Sequence, residues 1–155
     1  MDLKLDKPIC FFDLETTGVN VSNDRIVEIS VVKINIDKTE DSKTWLINPT
    51  IPIPVKVSVI HGITDEMVKD KPNFSELASE ISGFIKDCHL AGFNSNKFDV
   101  PMLIEEFLRA DFDFDISTIE LIDVQNIFHK MEKRTLSAAY KLSLIHISEP
   151  TRQFA

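Results

Sequence analysis

The stretch "FFDLETTG", residues 11–18, sets two carboxylates at the end of one of the most apolar runs in the chain. Ile9, Cys10, Phe11 and Phe12 read as a buried strand, and Asp13 and Glu15 follow where such a strand would carry Val or Ile. Side chains alternate faces along a strand, so Asp13 and Glu15 point the same way. Two acids on one face repel each other and lose hydration unless a cation sits between them. Oxygen-only ligands suit a hard ion, Mg²⁺ or Mn²⁺. An exposed strand end with two solvated acids is the plainer alternative. The "TTG" that follows adds hydroxyls and a turn whose amides could meet a phosphate.

Around this stretch the chain reads as three strands, 8–14, 25–36 and 42–48, forming an antiparallel meander. Pro49, Pro52 and Pro54 then predict a loop. Thr64 is placed as the N-cap of a short helix over "DEMVKD". Phe74, Leu77, Ala78, Ile81, Phe84, Ile85 and Cys88 make the apolar stripe of a helix on a core. A strand at 89–94, a helix at 100–110 with Pro101 in its first turn, and a strand at 117–124 follow. "VQNIFHKM" and "TLSAAYKL" carry further short helical patterns. Three strands followed by alternating helix and strand predict an α/β fold with a mixed sheet flanked by helices.

Composition bounds the rest. The 155 residues suit a single domain, and a hydrophobic share of 43% against 27% charged is that of a globular chain. No apolar run approaches the about 18 residues of a membrane span, and the amino terminus lacks the apolar segment of a signal peptide. Cys10 and Cys88 lie in apolar surroundings, as reduced core thiols do, so a cytoplasmic protein without a membrane partner is expected. A net charge of −8 argues against a broad basic surface for gripping phosphates. A nucleic acid would need to be held locally, by metal ions, backbone amides or a small basic patch.

Further candidates lie downstream. Asp99 in "AGFNSNKFDVPML" sits between a strand and a helix, either as a metal ligand or as the helix N-cap. Asn94 and Phe98 accompany it, and a phenyl ring beside a metal ligand could stack on a base or sugar. His61 in "VIHGITDEM" could contact a nucleotide or simply brace a loop. Asp123 ends an apolar strand, as a ligand or as the cap of the next helix.

Together, "FFDLETTG", "HGIT" and "GFNSNKFDVPML" resemble the first motif, the intervening loop and the second motif of the DEDD-type 3′–5′ exonucleases, histidine subclass, in their epsilon-like proofreading branch. The resemblance runs from about residue 8 to 142. It implies a ribonuclease H-like fold, two divalent metal ions on Asp13, Glu15 and Asp99 as the catalytic residues, and a single-stranded DNA (or RNA) 3′ end as substrate. It implies that Leu14, Thr16, Thr17, Gly18, His61, Asn94 and Phe98 line the terminal nucleotide, and it makes a DNA polymerase a partner to look for. In the histidine subclass a general-base His stands five residues before a fourth Asp. This chain has no such pair. After Asp123 there is no aspartate, only Glu132 and Glu149, and neither His129, His146 nor Tyr140 has an Asp at the required spacing. "SLIHISEPTRQFA" no longer resembles the family and reads like translated sequencing-adapter DNA at the end of a gene fragment. The expected organisation is a domain over 1–142 without its last helix, and a non-family tail over 143–155. An RNA-trimming exonuclease and a catalytically dead nucleic-acid-binding module remain the alternatives.

Overall fold

A computed structural model describes residues 6–92, 98–115, 117 and 120–123, with the side chains of Ile122 and Asp123 outside that description. Among these residues five strands form one mixed sheet: β1 (Ile9–Thr16), β2 (Ile26–Ile34), β3 (Glu40–Leu46), β4 (His89–Gly92) and β5 (Leu121–Asp123). Their spatial order is β3-β2-β1-β4-β5, so β1 is central. β1, β2 and β3 pair antiparallel, whereas β4 and β5 join in parallel. Among the described residues four helices intervene: α1 (Val55–His61), α2 (Asp65–Val68), α3 (Phe74–Ile85) and α4 (Val100–Arg109). The helical patterns expected in "VQNIFHKM" and "TLSAAYKL" and the tail expected over 143–155 all fall within 124–155, which lies outside the described residues.

Alternation along β1 explains the layering. Cys10, Phe12 and Leu14 face one way and join Ile29, Val31 and Trp45 in the main core. Phe74, Ala78, Ile81 and Ile85 of α3, with Met102, Leu103 and Phe107 of α4, close that core. Phe74 and Phe107 meet edge to face at 5.0 Å, which fixes where the two helices cross the sheet. On the opposite face of β1 come Ile9, Phe11, Asp13 and Glu15. The helices pack on the apolar side, and the acids fall on the other.

Caps set the helix starts. Thr64 accepts a hydrogen bond from the Met67 amide at 3.3 Å, as expected for α2. Asn73 and Glu76 close a capping box at α3, with bonds of 2.9 and 3.1 Å.

Several boundaries differ from expectation. β1 runs on through Thr16, with a register shift between Glu15 and Thr16 that leaves Val27 as the extra residue on β2. β3 spans 40–46 and not 42–48, and β5 starts at Leu121 and not at 117. The largest difference is α1, where a proline-rich loop was expected. Val55, Val57, Val59 and Ile60 are β-branched and weak helix formers, and no residue of α1 is buried, so no apolar periodicity announces it. Pro54 precedes the helix, the position proline tolerates, and Gly62 ends it at φ 77°.

Candidate functional site

The pairing register builds the site. Asp13 lies opposite Ser30 and Glu15 opposite Glu28, so Asp13, Glu15 and Glu28 share the face away from α3 and α4. All three are half-buried. Burial raises the Asp13 carboxyl above its ordinary value, with the Leu14 amide opposing. Glu15 is raised first by burial and then by the charge of Asp13, while His61 eases it and Glu28 adds to it. Glu28 is raised by burial and by Asp13, again eased by His61. Three acids therefore press on one another at the C-terminal end of the central strand.

Glu28 was not among the expected site residues. Its signal was present: in "RIVEISVVKI" the polar Glu28 and Ser30 alternate with Ile29 and Val31. Only the register, though, puts Glu28 against Glu15.

Asp99 stands at the start of α4, 6% exposed. It holds the N-cap position of α4 without a side-chain capping hydrogen bond. Asp99 Oδ2 instead lies 3.3 Å from the point a Cβ on Gly92 would occupy, and the Phe12 carbonyl oxygen lies 3.1 Å from that point. Asp99 thus reaches the end of β4 beside the step in β1 that leads from Phe12 to Asp13. Gly92 in turn pairs with Asp123 of β5. Among the described residues no three His, Cys, Asp or Glu side chains are gathered as a metal cluster, so the expected convergence of all three ligands is not closed.

The remaining expected residues divide by what they already do. The Leu14 side chain is buried in the main core on the far face, so only its backbone can line the site. The Thr16 hydroxyl donates to the Gly18 carbonyl at 2.6 Å, and that of Thr17 donates to Asp24 at 2.8 Å and accepts from the Arg25 amide. Asp24 also accepts from the Asn20 amide at 2.8 Å. Gly18 serves close approach here: a Cβ would fall 2.5 Å from Asp24 Oδ2. The "TTG" hydroxyls are thus committed to shaping the turn. His61 is held at both ring nitrogens, Nδ1 accepting from the Ile63 amide and Nε2 donating to the Thr16 carbonyl, each at 3.1 Å. Val27, Ile53, Ile63 and Val68 form a small second core beneath it. His61 therefore pins the end of α1 to the end of β1. Phe98 is half-buried against the main core. Asn94 lies outside the described residues.

A buried brace behind the site was not anticipated. Glu106 of α4, 2% exposed, accepts from the Ile26 amide at 3.0 Å and from Arg109 Nε at 3.2 Å. Arg109 also donates to the carbonyls of Ser22 and Asp24, at 3.2 and 2.9 Å. The brace ties α4, and so Asp99 at its start, to the turn that follows Glu15. An acid in the apolar stripe of an amphipathic helix was its only sequence signal.

The exonuclease family RNase_T matches residues 10–148. The DNA polymerase III epsilon subunit of Treponema pallidum is 39% identical over 120 residues, 77% of this chain and 50% of that protein. That of Buchnera aphidicola is 35% identical over 153 residues, covering 89% and 65%. A PolC-type DNA polymerase III from Caldanaerobacter subterraneus is 29% identical over 94% of this chain and 11% of its own length. The chain thus spans at most about two thirds of these relatives, 65% at the highest. Among solved structures, E. coli exonuclease I in complex with a dT13 oligonucleotide superposes with a TM-score of 0.72 at 17% identity, over 82% of this chain and 30% of that one, a likeness of the ribonuclease H-like fold. Sheet order, acid-bearing central strand and family match agree, and the chain belongs to the RNase_T exonuclease family.

Proposed function

We propose that this chain is a 3′–5′ exonuclease domain that removes nucleoside monophosphates from single-stranded or frayed DNA ends by metal-assisted phosphodiester hydrolysis. The observation that carries this reading is the pair Asp13 and Glu15, sharing one face at the end of the central strand and both raised by burial. Carboxylates in that condition lack counter-charge, and a divalent cation supplies it. The all-oxygen donor set fits Mg²⁺ or Mn²⁺, with Asp13 and Glu15 as ligands and Asp99 brought by α4. When bound, two such ions supply charge stabilisation at the phosphoryl oxygens and acidify a water.

The chain's own residues orient the substrate. The His61 contact to Thr16 and the Gly18–Asp24 turn fix the backbone beside the acids. Val19 and Ile60, 88% and 82% exposed, adjoin those two anchors and offer apolar surface to a nucleobase. A single-stranded DNA substrate accords with the oligonucleotide in the exonuclease I complex, and a polymerase partner with the names of the relatives. No helix among the described residues is long and apolar enough to cross a membrane.

Incubating the chain with 3′-labelled single-stranded DNA and RNA of one sequence, in Mn²⁺, tests the reading. Release of labelled nucleoside monophosphate from DNA supports it. Release from RNA alone would make the chain an RNA-trimming enzyme, and binding of either strand without release would make it a binding module.

A further inference from the structure

A cavity of about 180 Å³ lies between the start of β2, the first turn of α3 and the last turn of α4. Sites that enclose a drug-sized ligand measure about 300–1,000 Å³, so this one suits a single small group. Its charged lining is Arg25, Arg109 and Glu106, two guanidiniums for one carboxylate. Glu106 is already committed, its two oxygens accepting from the Ile26 amide and from Arg109 Nε. Arg25 is left over. No ion pair holds it among the described residues, and its Nη1 donates only to Thr50 Oγ1, at a long 3.5 Å. Its Nε is buried and meets no acceptor among them. A buried charged donor without an acceptor is unfavourable, and folded proteins keep few unless an ion or water answers them. Nε and the adjacent Nη of an arginine form an edge that takes two oxygens of one oxyanion in parallel.

The other walls of the cavity add to this. Ser75 lies in the first turn of the 12-residue α3, where its amide has no helical carbonyl to bond and its hydroxyl is a second donor. Arg109 brings positive charge from the end of α4. Donors thus stand on three elements. A carboxylate offers two oxygens in one plane, whereas a phosphate group offers three strong acceptors pointing apart. We propose that this cavity is a phosphate site, holding inorganic phosphate or the phosphate of a phosphomonoester on the free edge of Arg25. The acids Asp13 and Glu15 occupy the opposite face of the sheet, so binding here needs neither a divalent cation nor cleavage. The Arg25 carbonyl accepts from the Thr17 amide at 2.8 Å, and its amide donates to Thr17 Oγ1 at 3.0 Å. An anion held by Arg25 therefore fastens the turn that follows Glu15.

The test titrates the whole chain, free of divalent cations, with sodium phosphate against sodium chloride at matched ionic strength. Wild type should show a saturable binding heat and a thermal midpoint a few degrees higher in phosphate. In NMR spectra the Arg25 Nε–H and the Ser75 amide should shift with the same saturation, while the amides of Asp13 and Glu15 stay in place. A parallel titration with deoxyadenosine monophosphate separates the two sources. Shifts of those resonances by the nucleotide alone make the site one for a phosphomonoester, shifts by inorganic phosphate alone make it one for the free anion, and either supports the site. Arg25→Met keeps the apolar stem and the backbone bonds but removes the guanidinium edge. It should abolish the binding heat without lowering the midpoint in chloride, because an unanswered buried donor is gone. Arg25→Lys, which keeps the charge without the edge, should bind more weakly than wild type. The proposal is overturned by a response to both phosphates no larger than to chloride, by an equal response to acetate, or by shifts confined to Asp13 and Glu15. An undiminished response in Arg25→Met overturns it too. The first three results are read on the wild type, so they stand even where a variant fails to fold.

Discussion

Glu15 and Glu28 face each other across the β1–β2 ladder, with Asp13 on the same face. Acids whose ionisation is opposed in the folded state favour that state when protonated. Their stabilising contribution is present below the unfolded values, 3.8 for Asp13 and 4.5 for Glu15 and Glu28, and is lost as pH rises through the raised folded values. Without divalent cations, the thermal midpoint should rise as pH is lowered from 7 towards 4.5. Glu28→Gln should raise the midpoint at pH 7 by a few degrees at most, because solvent screens a half-exposed group. The gain should vanish near pH 4. Differential scanning calorimetry across that range checks both, and a Glu28→Gln gain that persists at pH 4 would show that repulsion is not its source.

Gly92 gives Asp99 its room. A Cβ there would meet the Phe12 carbonyl at 3.1 Å and Asp99 at 3.3 Å. Backbone in a central sheet yields little, so the Asp99 carboxylate should be the group that moves. Gly92→Ala should lower nucleotide release, by less than the about 10²-fold that a 1 Å misplacement costs, with a smaller effect on the melting temperature. A variant that cleaves normally would show that Asp99 does not need its present position.

The brace at Glu106 predicts a large stability effect away from the chemistry. Glu106→Ala strands the Ile26 amide and leaves Arg109 without its carboxylate. A loss of about 3–5 kcal/mol is expected, as for breaking a buried pair. Glu106→Gln keeps an acceptor and should lose less. Urea denaturation of the two variants measures the difference, and equal, small losses would mean that the turn after Glu15 holds without the brace.

How much was legible from sequence follows from these cases. Alternation put Asp13 and Glu15 on one face, and the α3 stripe and the Thr64 cap were plain, because each is a local pattern. Glu28 was hidden because pairing register is not a local property. Helix α1 was hidden because it buries nothing. Glu106 was hidden because a buried acid looks like any other helix acid until its partners, 80 residues away for Ile26, are in place. Asp99 was ambiguous between ligand and cap, because a residue between a strand and a helix suits either role, and it does stand at the N-cap position.

The sequence offers no His-x-x-x-x-Asp after Asp123. General-base catalysis contributes about 10²–10⁴-fold, so the chain as it stands should cleave slowly. Replacing residues 143–155 with a segment that carries this spacing should raise release from a 3′-labelled strand by that order. Equal rates with and without the segment, together with loss of cleavage in Glu149→Gln, would mean that the present tail supplies the missing group.

The central claim is that Asp13 and Glu15 hold divalent cations, and calorimetric titration with Mn²⁺ tests it most directly. The wild-type chain should show a saturable binding heat and a rise in thermal midpoint that Asp13→Asn abolishes, although the variant itself should be at least as stable without metal because a desolvated charge is gone. Equal Mn²⁺ responses in wild type and Asp13→Asn would mean that the ions only screen a surface of net charge −8, and would contradict the account.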